Sequence, residues 1–216
     1  MAPEGRKILS ILLIMTSGLF IIGLFVNSTI FPIAGGILSL LFVFSLNFFR
    51  DPVRKIPDGN NIVISPADGK ITAITTVGDP DVGKNAKLVS IFLNVFDVHA
   101  NRVPISGKII SVNRRSGQFV SAFRHDAADV NEQTTTLIET SIGIVKIKQI
   151  AGLIARRILC YANSGERMYQ GDRLGFIMFG SRTDVILPPS VNVLVKVGQR
   201  VVGTETIIGT LENEKK

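Results

Sequence analysis

Two long apolar runs near the N-terminus constrain the chain more than any other feature of its sequence. Residues Ile8–Val26 and Ile30–Phe49 contain no charged side chain, and a short polar turn, Asn27-Ser28-Thr29, lies between them. At about 1.5 Å of rise per helical residue, each run makes a helix long enough to cross the roughly 30 Å hydrocarbon core of a bilayer. We therefore expect residues 1–49 to form a membrane-associated helical hairpin.

Basic residues flank both outer ends of this hairpin. Arg6 and Lys7 precede the first run, and Arg50 follows the second. Because Lys and Arg are enriched on the cytoplasmic side of membranes, both ends, and the rest of the chain with them, are expected to face the cytoplasm. Two alternatives stay open. One is a cleaved signal peptide, against which the length of the apolar stretch argues; the other is an interfacial hairpin, which Pro32 in the second run would permit.

From residue 50 onward the pattern is that of a β domain. Short β-branched segments alternate with glycine turns such as Asp58-Gly59 and Asp68-Gly69, which predicts a mainly β fold over residues 50–216. We expect a small antiparallel barrel or sandwich, similar to the barrel-sandwich of lipoyl carrier domains. The predicted strands cover residues 62–64, 70–76, 88–94, 108–113, 135–139 and 143–150.

Charge and composition exclude several classes of protein. The 24 Lys and Arg exceed the 17 Asp and Glu, and the net charge of +7 suits an anionic partner such as a lipid surface rather than specifying one. Disorder and a nucleic-acid-binding tail are disfavoured by the high apolar content. The single cysteine, Cys160, excludes an internal disulfide and a multi-cysteine zinc site. Only His99 and His125 are available for histidine acid–base chemistry.

Three polar residues lie where predicted strands begin or end. Asp68 comes directly before a strand, whereas His99 and Ser181 follow apolar strands. An acid, a histidine and a serine are the residue types of a nucleophile, its base and the group that orients the base. Each also has a structural interpretation as a turn former or a buried polar residue, and no Gly-x-Ser-x-Gly elbow surrounds Ser181.

Several motifs occur in one order along the chain, and together they carry a resemblance. The ordered set, from about Phe48 to Ile208, resembles the pyruvoyl-dependent phosphatidylserine decarboxylases in their short prokaryotic, archaeal-type form. The motifs are Phe48-Phe49-Arg50-Asp51-Pro52, Ser65-Pro66-Ala67-Asp68-Gly69, Val98-His99 with Arg102-Val103-Pro104, Gln149-Ile150-Ala151-Gly152, Gly171-Asp172-Arg173 and Gly180-Ser181.

The resemblance implies a zymogen of phospholipid biosynthesis that cuts itself between Gly180 and Ser181. The long chain, 1–180, and the short chain, 181–216, would stay together as a heterodimer at the cell membrane. A covalent pyruvoyl group derived from Ser181 would form a Schiff base with phosphatidylserine and yield phosphatidylethanolamine, with no pyridoxal phosphate and no metal. His99 would act as base and proton donor, oriented by Asp68.

Three positions depart from the family pattern. Phe96 stands where some members have a second histidine, Gln133 replaces the arginine of an Asn-Glu-Arg element, and Arg182 follows the serine where many longer members have threonine. Two other functions stay open: a membrane-anchored serine hydrolase that uses the same three side chains repeatedly, and a non-enzymatic membrane adaptor.

Overall fold

The chain separates into a helical unit, Met1–Pro52, and a second unit, Val53–Lys216, whose described regular structure consists of β-strands and one short helix. The predicted fold class, a mainly β domain preceded by a helical hairpin, is confirmed. The structure is a computed structural model, and it describes residues 1–26, 28–59, 61–122, 127–153, 157–178 and 181–211.

The first unit is a hairpin of two apolar helices. A 3-10 turn over Pro3–Gly5 leads into α1 (Arg6–Phe25), and α2 covers Ile30–Phe48. Mean hydropathy reaches 2.5 in the first helical segment and 2.0 in the second, so both are able to cross a membrane by length and composition. No residue of α1 is fully buried, and most of its large apolar side chains are exposed.

Close approaches at both ends hold the two helices together. The backbone N–H of Ala2 donates to the carbonyl of Phe49 at 2.7 Å, which joins the start of the hairpin to its end. The Phe20 ring packs on Gly35, where a Cβ atom would lie 3.1 Å from the ring. The glycine therefore lets the helices approach closely near the turn.

The described part of the second unit contains fourteen strands and one short helix, α3 (Ala127–Val130). Each of the six predicted strands overlaps an observed one. In chain order the strands are β1 (Ile62–Ile64), β2 (Gly69–Asp79), β3 (Gly83–Leu93), β4 (Ala100–Arg102), β5 (Gly107–Arg115), β6 (Gln133–Thr140), β7 (Gly143–Ala151), β8 (Ile158–Cys160), β9 (Arg167–Met168), β10 (Arg173–Ile177), β11 (Ser181–Leu187), β12 (Val191–Val193), β13 (Arg200–Val201) and β14 (Ile207–Leu211).

The strands form one large antiparallel sheet and two small ones. The large sheet has the order β13-β2-β3-β11-β7-β6-β5-β9, and the small sheets have the orders β1-β14-β12 and β4-β10-β8. Strand β11 lies at the centre of the large sheet, paired on both sides, and all seven of its residues are buried. The start of β11 is therefore held within the folded unit.

A charge cluster shows that the large sheet is strongly curled. The Nζ atom of Lys146 on β7 lies 2.6 Å from both carboxylate oxygens of Asp79 on β2 and 2.7 Å from Asp81, although β3 and β11 separate the two strands. Burial alone would raise the pKa of Asp79, but hydrogen bonds from Lys146 and the backbone outweigh it and lower the pKa. Burial would likewise lower the pKa of Lys146, but the two carboxylates raise it.

Candidate active site

Ser181 is the first residue of β11. In the sheet register it lies opposite Leu93 on one side and Ala151 on the other, and all three residues are fully buried. Its Oγ atom has no hydrogen-bond partner among the residues that the structure describes. A buried hydroxyl without a partner costs free energy, so such a group calls for a functional explanation.

His99 is fully buried in the segment that leads into β4. Its Nδ1 atom lies 2.9 Å from the backbone carbonyl oxygen of Asp97, and its ring lies 6.4 Å from that of Phe176. Its own carbonyl accepts a hydrogen bond from the backbone N–H of Ile177 at 3.2 Å. Because Ile177 ends β10 only four residues before Ser181, this bond links the His99 segment to the chain that leads into β11.

The loop that contains Asp97 is fixed by its own side chain. The carboxylate of Asp97 accepts the backbone N–H of Asn94 at 2.8 Å and pairs with the guanidinium of Arg200 on β13. Asp97 is thereby held where its carbonyl meets the His99 ring. Nothing in the local sequence marks Asp97 as functional except its position two residues before His99.

Asp68 lies in the turn before β2 and is engaged by other groups. Within the described part of the chain, its carboxylate accepts hydrogen bonds from both terminal nitrogens of Arg54 and, at 2.8 Å, from the backbone N–H of Gly203. Its hydrogen bonds thus go to these residues and not to the His99 ring. The turn still borders the histidine segment, because the carbonyl of Pro66 accepts the N–H of Arg102 at 2.8 Å.

Strand pairing in the large sheet brings the turn of Asp68 and Ser181 to the same end of the sheet. Lys70 lies opposite Phe92, and Phe92 lies opposite Arg182, so the start of β2, the end of β3 and the start of β11 are side by side. Neighbouring strands are about 4.8 Å apart. Asp68 and Ser181 therefore lie at the same end of the sheet. The other cleavage-site residue, Gly180, lies outside the described residues, as does His125.

The residue after Ser181 belongs to the opposite face of the sheet. Arg182 is largely buried, and its guanidinium donates to both carboxylate oxygens of Asp184 at 2.6 and 2.8 Å and to the hydroxyl of Ser90 at 3.1 Å. Since successive side chains of a strand alternate between faces, this ion pair lies across the sheet from the Ser181 side chain.

Asn131 anchors one wall next to Ser181. Its amide donates to the carbonyls of Val120 and Ala151 at 2.8 and 2.7 Å, and its oxygen accepts the N–H of Val120 at 2.9 Å. Because Ala151 is the register partner of Ser181, a fully satisfied buried amide holds the segment around Val120 beside the site. In the sequence, Asn131 is marked only as the first residue of the Asn-Glu-Gln element that ends at Gln133.

No group of three or more His, Cys, Asp or Glu side chains that could hold a metal ion occurs within the described ranges. The register places two further polar side chains, the hydroxyl of Thr183 and the amide of Gln149, on the same face as Ser181. Both groups are able to donate and to accept hydrogen bonds.

Comparison with known proteins connects this arrangement to one family. The family model described as phosphatidylserine decarboxylase matches residues 41–209. The chain is 37% identical over 201 residues to the phosphatidylserine decarboxylase proenzyme of Chlorobaculum tepidum, covering 91% of this chain and 93% of the relative. It is 47% identical over 174 residues to the proenzyme of that name from Burkholderia multivorans, covering 80% and 81%.

A third relative gives a match of similar length. The phosphatidylserine decarboxylase proenzyme of Ralstonia nicotianae is 42% identical over 196 residues, which cover 88% of this chain and 91% of the relative. The likeness thus spans most of the chain and includes every strand that borders Ser181. The chain belongs to the phosphatidylserine decarboxylase family and is a decarboxylase.

Proposed function

We propose that the protein converts phosphatidylserine to phosphatidylethanolamine with a pyruvoyl group that it makes from its own Ser181. The observation that carries this proposal is the Ser181 hydroxyl, which is buried at the start of β11 without a hydrogen-bond partner among the described residues. The histidine segment joined to the preceding strand supplies a base. Membership of the decarboxylase family supplies the reaction and the substrate class.

The hydrogen bond at His99 supports its assignment as the base. A carbonyl oxygen only accepts, so the contact with Asp97 places the proton of a neutral His99 ring on Nδ1. The other ring nitrogen, Nε2, then carries the lone pair. A histidine in this tautomer is ready to take the proton of a serine hydroxyl.

Self-cleavage then follows from the chemistry of serine. Ser181 Oγ attacks the carbonyl carbon of Gly180 while Nε2 of His99 takes the hydroxyl proton; the amide C–N bond breaks, its nitrogen gains a proton, and an ester forms. Loss of the Cα proton then breaks the Cβ–O bond and frees the carboxylate of Gly180. The residual dehydroalanine takes up one water and releases one ammonia, which leaves a keto group on the new terminus.

The surroundings of Ser181 fit such a group. A ketone is uncharged, and the register partners of Ser181, Leu93 and Ala151, are buried and apolar, so the position that would carry the keto group has apolar neighbours on both sides. The charged pair of Arg182 and Asp184 lies on the other face of the sheet. When present, the pyruvoyl group supplies the carbonyl electron acceptor that takes the electron pair released as carbon dioxide leaves.

Asp68 has an orienting role in this proposal. Asp68 lies at the same end of the large sheet as Ser181, and the carbonyl of Pro66 in its turn accepts the backbone N–H of Arg102, in the strand that follows His99. We assign its effect on His99 to the placement of this turn and to its negative charge, since its hydrogen bonds go to Arg54 and Gly203. Proton return to the product carbon is assigned to His99.

The helical unit suits a lipid substrate. A diacyl lipid seldom leaves the bilayer, so a catalyst anchored by α1 and α2 meets it by diffusion in the membrane plane. The length and hydropathy of both helices support the anchor, and the basic residues at the outer ends of the hairpin support a cytoplasmic catalytic unit.

Intact mass spectrometry of the purified full-length protein tests the proposal. We expect two fragments, Met1–Gly180 and a short chain starting at position 181, with the short one blocked to Edman degradation and reactive towards borohydride. The Ser181→Ala variant should stay whole. A wild-type preparation that decarboxylates phosphatidylserine while its chain is uncut would refute the mechanism, and labelling of an uncut Ser181 by a serine-directed inhibitor would favour the hydrolase instead.

A further inference from the structure

A buried amide pair bridges the two sheets that carry the proposed machinery. Nε2 of Gln149 on β7 donates to Oδ1 of Asn101 on β4 at 2.8 Å, and both residues are fully buried. The Gln149 side chain passes over Gly175 on β10, where a Cβ atom would lie 2.7 Å from Nε2. Glycine at this position leaves room for the bridge between the sheet of Ser181 and the segment of His99.

Only two of the four polar side-chain atoms of this amide pair are hydrogen-bonded among the described residues. Oε1 of Gln149 and Nδ2 of Asn101 are buried without a partner in the described part of the protein, and so is Oγ1 of Thr183. Each such group normally lowers the stability of a fold, because it has lost its hydrogen bonds to water and gained none in return. A native fold that keeps three of them together needs a reason, and binding of a polar ligand is one.

The register places these groups next to Ser181. Gln149 lies opposite Thr183 in the register. This pair is two residues along the strands from the pair formed by Ala151 and Ser181. Directly opposite residues of antiparallel strands project from the same face, and so do residues two apart. The Ser181 and Thr183 hydroxyls and the Gln149 amide therefore lie on one face.

We infer that Gln149, Asn101 and Thr183 form a recess for the amino-acid end of the lipid head group. The inference rests on the proposed function, because Gln149 and Thr183 lie on the same face as Ser181, the residue from which the pyruvoyl group is made. In the described part of the chain Oε1 of Gln149, Nδ2 of Asn101 and Oγ1 of Thr183 are buried without a partner, and the substrate head group satisfies them.

The chemistry of the recess matches that of a zwitterion. The amide pair presents one unpartnered NH2 group and one unpartnered oxygen, whichever way the two amides are oriented. The hydroxyl of Thr183 both donates and accepts. A serine head group offers a carboxylate that accepts and an amine that donates. All three recess side chains are uncharged, as is the amino-acid end taken as a whole. The product lacks the carboxylate, so it binds this recess less well and leaves.

Replacement of Thr183 by valine tests the inference in the full-length protein. The Thr183→Val variant loses an unpaired hydroxyl at nearly constant shape, so we expect complete self-cleavage and an unchanged or higher melting temperature. We expect its preference for a serine over an ethanolamine head group to fall about tenfold. The preference is measured by cyanoborohydride trapping of glycerophosphoserine and glycerophosphoethanolamine on the short chain, read as mass.

Thr134→Val is the matched control. Thr134 is also buried, and it lies opposite Gln149 on β6, away from β11. We expect this variant to keep the wild-type preference. Three results would overturn the recess: an unchanged preference in Thr183→Val, an equal loss of preference in Thr134→Val, or failure of Thr183→Val to cleave. In each case, cleavage of the wild-type protein would leave the proposed function standing. An uncut wild-type protein would overturn the proposed function itself, and the recess with it.

Discussion

Nδ1 of His99 lies 2.9 Å from the backbone carbonyl oxygen of Asp97. A main-chain oxygen thus orients the imidazole, and the Asp97 side chain, bound to the backbone of Asn94 and to Arg200, holds that oxygen in place. This arrangement separates the group that orients the base from the carboxylate of Asp68. The two contributions can therefore be tested by different substitutions.

The His99→Asn variant should fold but cleave slowly. The asparagine amide can still donate to the Asp97 carbonyl, whereas it has no basic nitrogen to accept the serine proton. We expect the rate of self-cleavage to fall at least about 100-fold, as for loss of a general base. The fraction of uncut chain over time, read by gel or mass, measures it. Wild-type cleavage in a correctly folded His99→Asn protein would remove His99 from its assigned role.

We expect the rate of self-cleavage of the Asp68→Asn variant to fall at least about tenfold. The substitution removes a negative charge from the end of the sheet where Ser181 lies. Arg54→Met is the comparison, since it leaves the carboxylate in place and removes its ion-pair partner. We expect Arg54→Met to lose about 1.5–3 kcal/mol of stability. If both variants cleave at the wild-type rate, Asp68 has only a structural role.

Stability should depend on pH through the pair formed by Asp79 and Lys146. The pKa of Asp79 is lowered from 3.8, so its contribution is present above that pH and is lost as pH falls through the folded value. The pKa of Lys146 is raised from 10.5, so its contribution is lost only as pH rises above that value. The free-energy difference between wild type and the Asp79→Asn/Lys146→Met double variant, from urea unfolding in detergent, should shrink below about pH 4. A difference that stays constant down to pH 2 would contradict this.

The buried pair of Arg182 and Asp184 should be costly to break on one side only. Arg182→Met leaves the buried carboxylate of Asp184 without its cation, so we expect a loss of about 3–5 kcal/mol in the free energy of unfolding. The double variant Arg182→Met/Asp184→Leu should recover most of that loss, because no uncompensated charge stays buried. Chemical denaturation measures both, and additive losses in the double variant would argue against coupling.

The outward apolar surface of the helices should be required for membrane binding. Leu40 is 73% exposed in the middle of α2, and Leu40→Lys places a charge there, which costs about 2.5–3.5 kcal/mol on insertion scales. We expect flotation with liposomes to decrease. Val53→Lys, at an exposed position outside both helices, is the control and should float as wild type. Equal flotation of all three proteins would argue that the helices do not anchor the chain.

The sequence by itself determined the two apolar helices, six of the fourteen described strands and the class of fold. The two apolar runs form helices and contain no charged side chain that would be costly in an apolar environment. The alternation of β-branched residues with glycine turns gives strands near the predicted positions. The ordered motifs also identified the family, since several short matches in one order are far more specific than Gly180-Ser181 alone.

Only the tertiary structure decided which groups face one another at the site. A hydrogen bond depends on atoms brought together by strand register, so neither the Asp97 carbonyl at His99 nor the Arg54 guanidinium at Asp68 can be read from local sequence. The bridge from Gln149 to Asn101 joins residues 48 positions apart in different sheets. Such contacts arise from the curl and packing of the sheets, which are long-range properties of the whole fold.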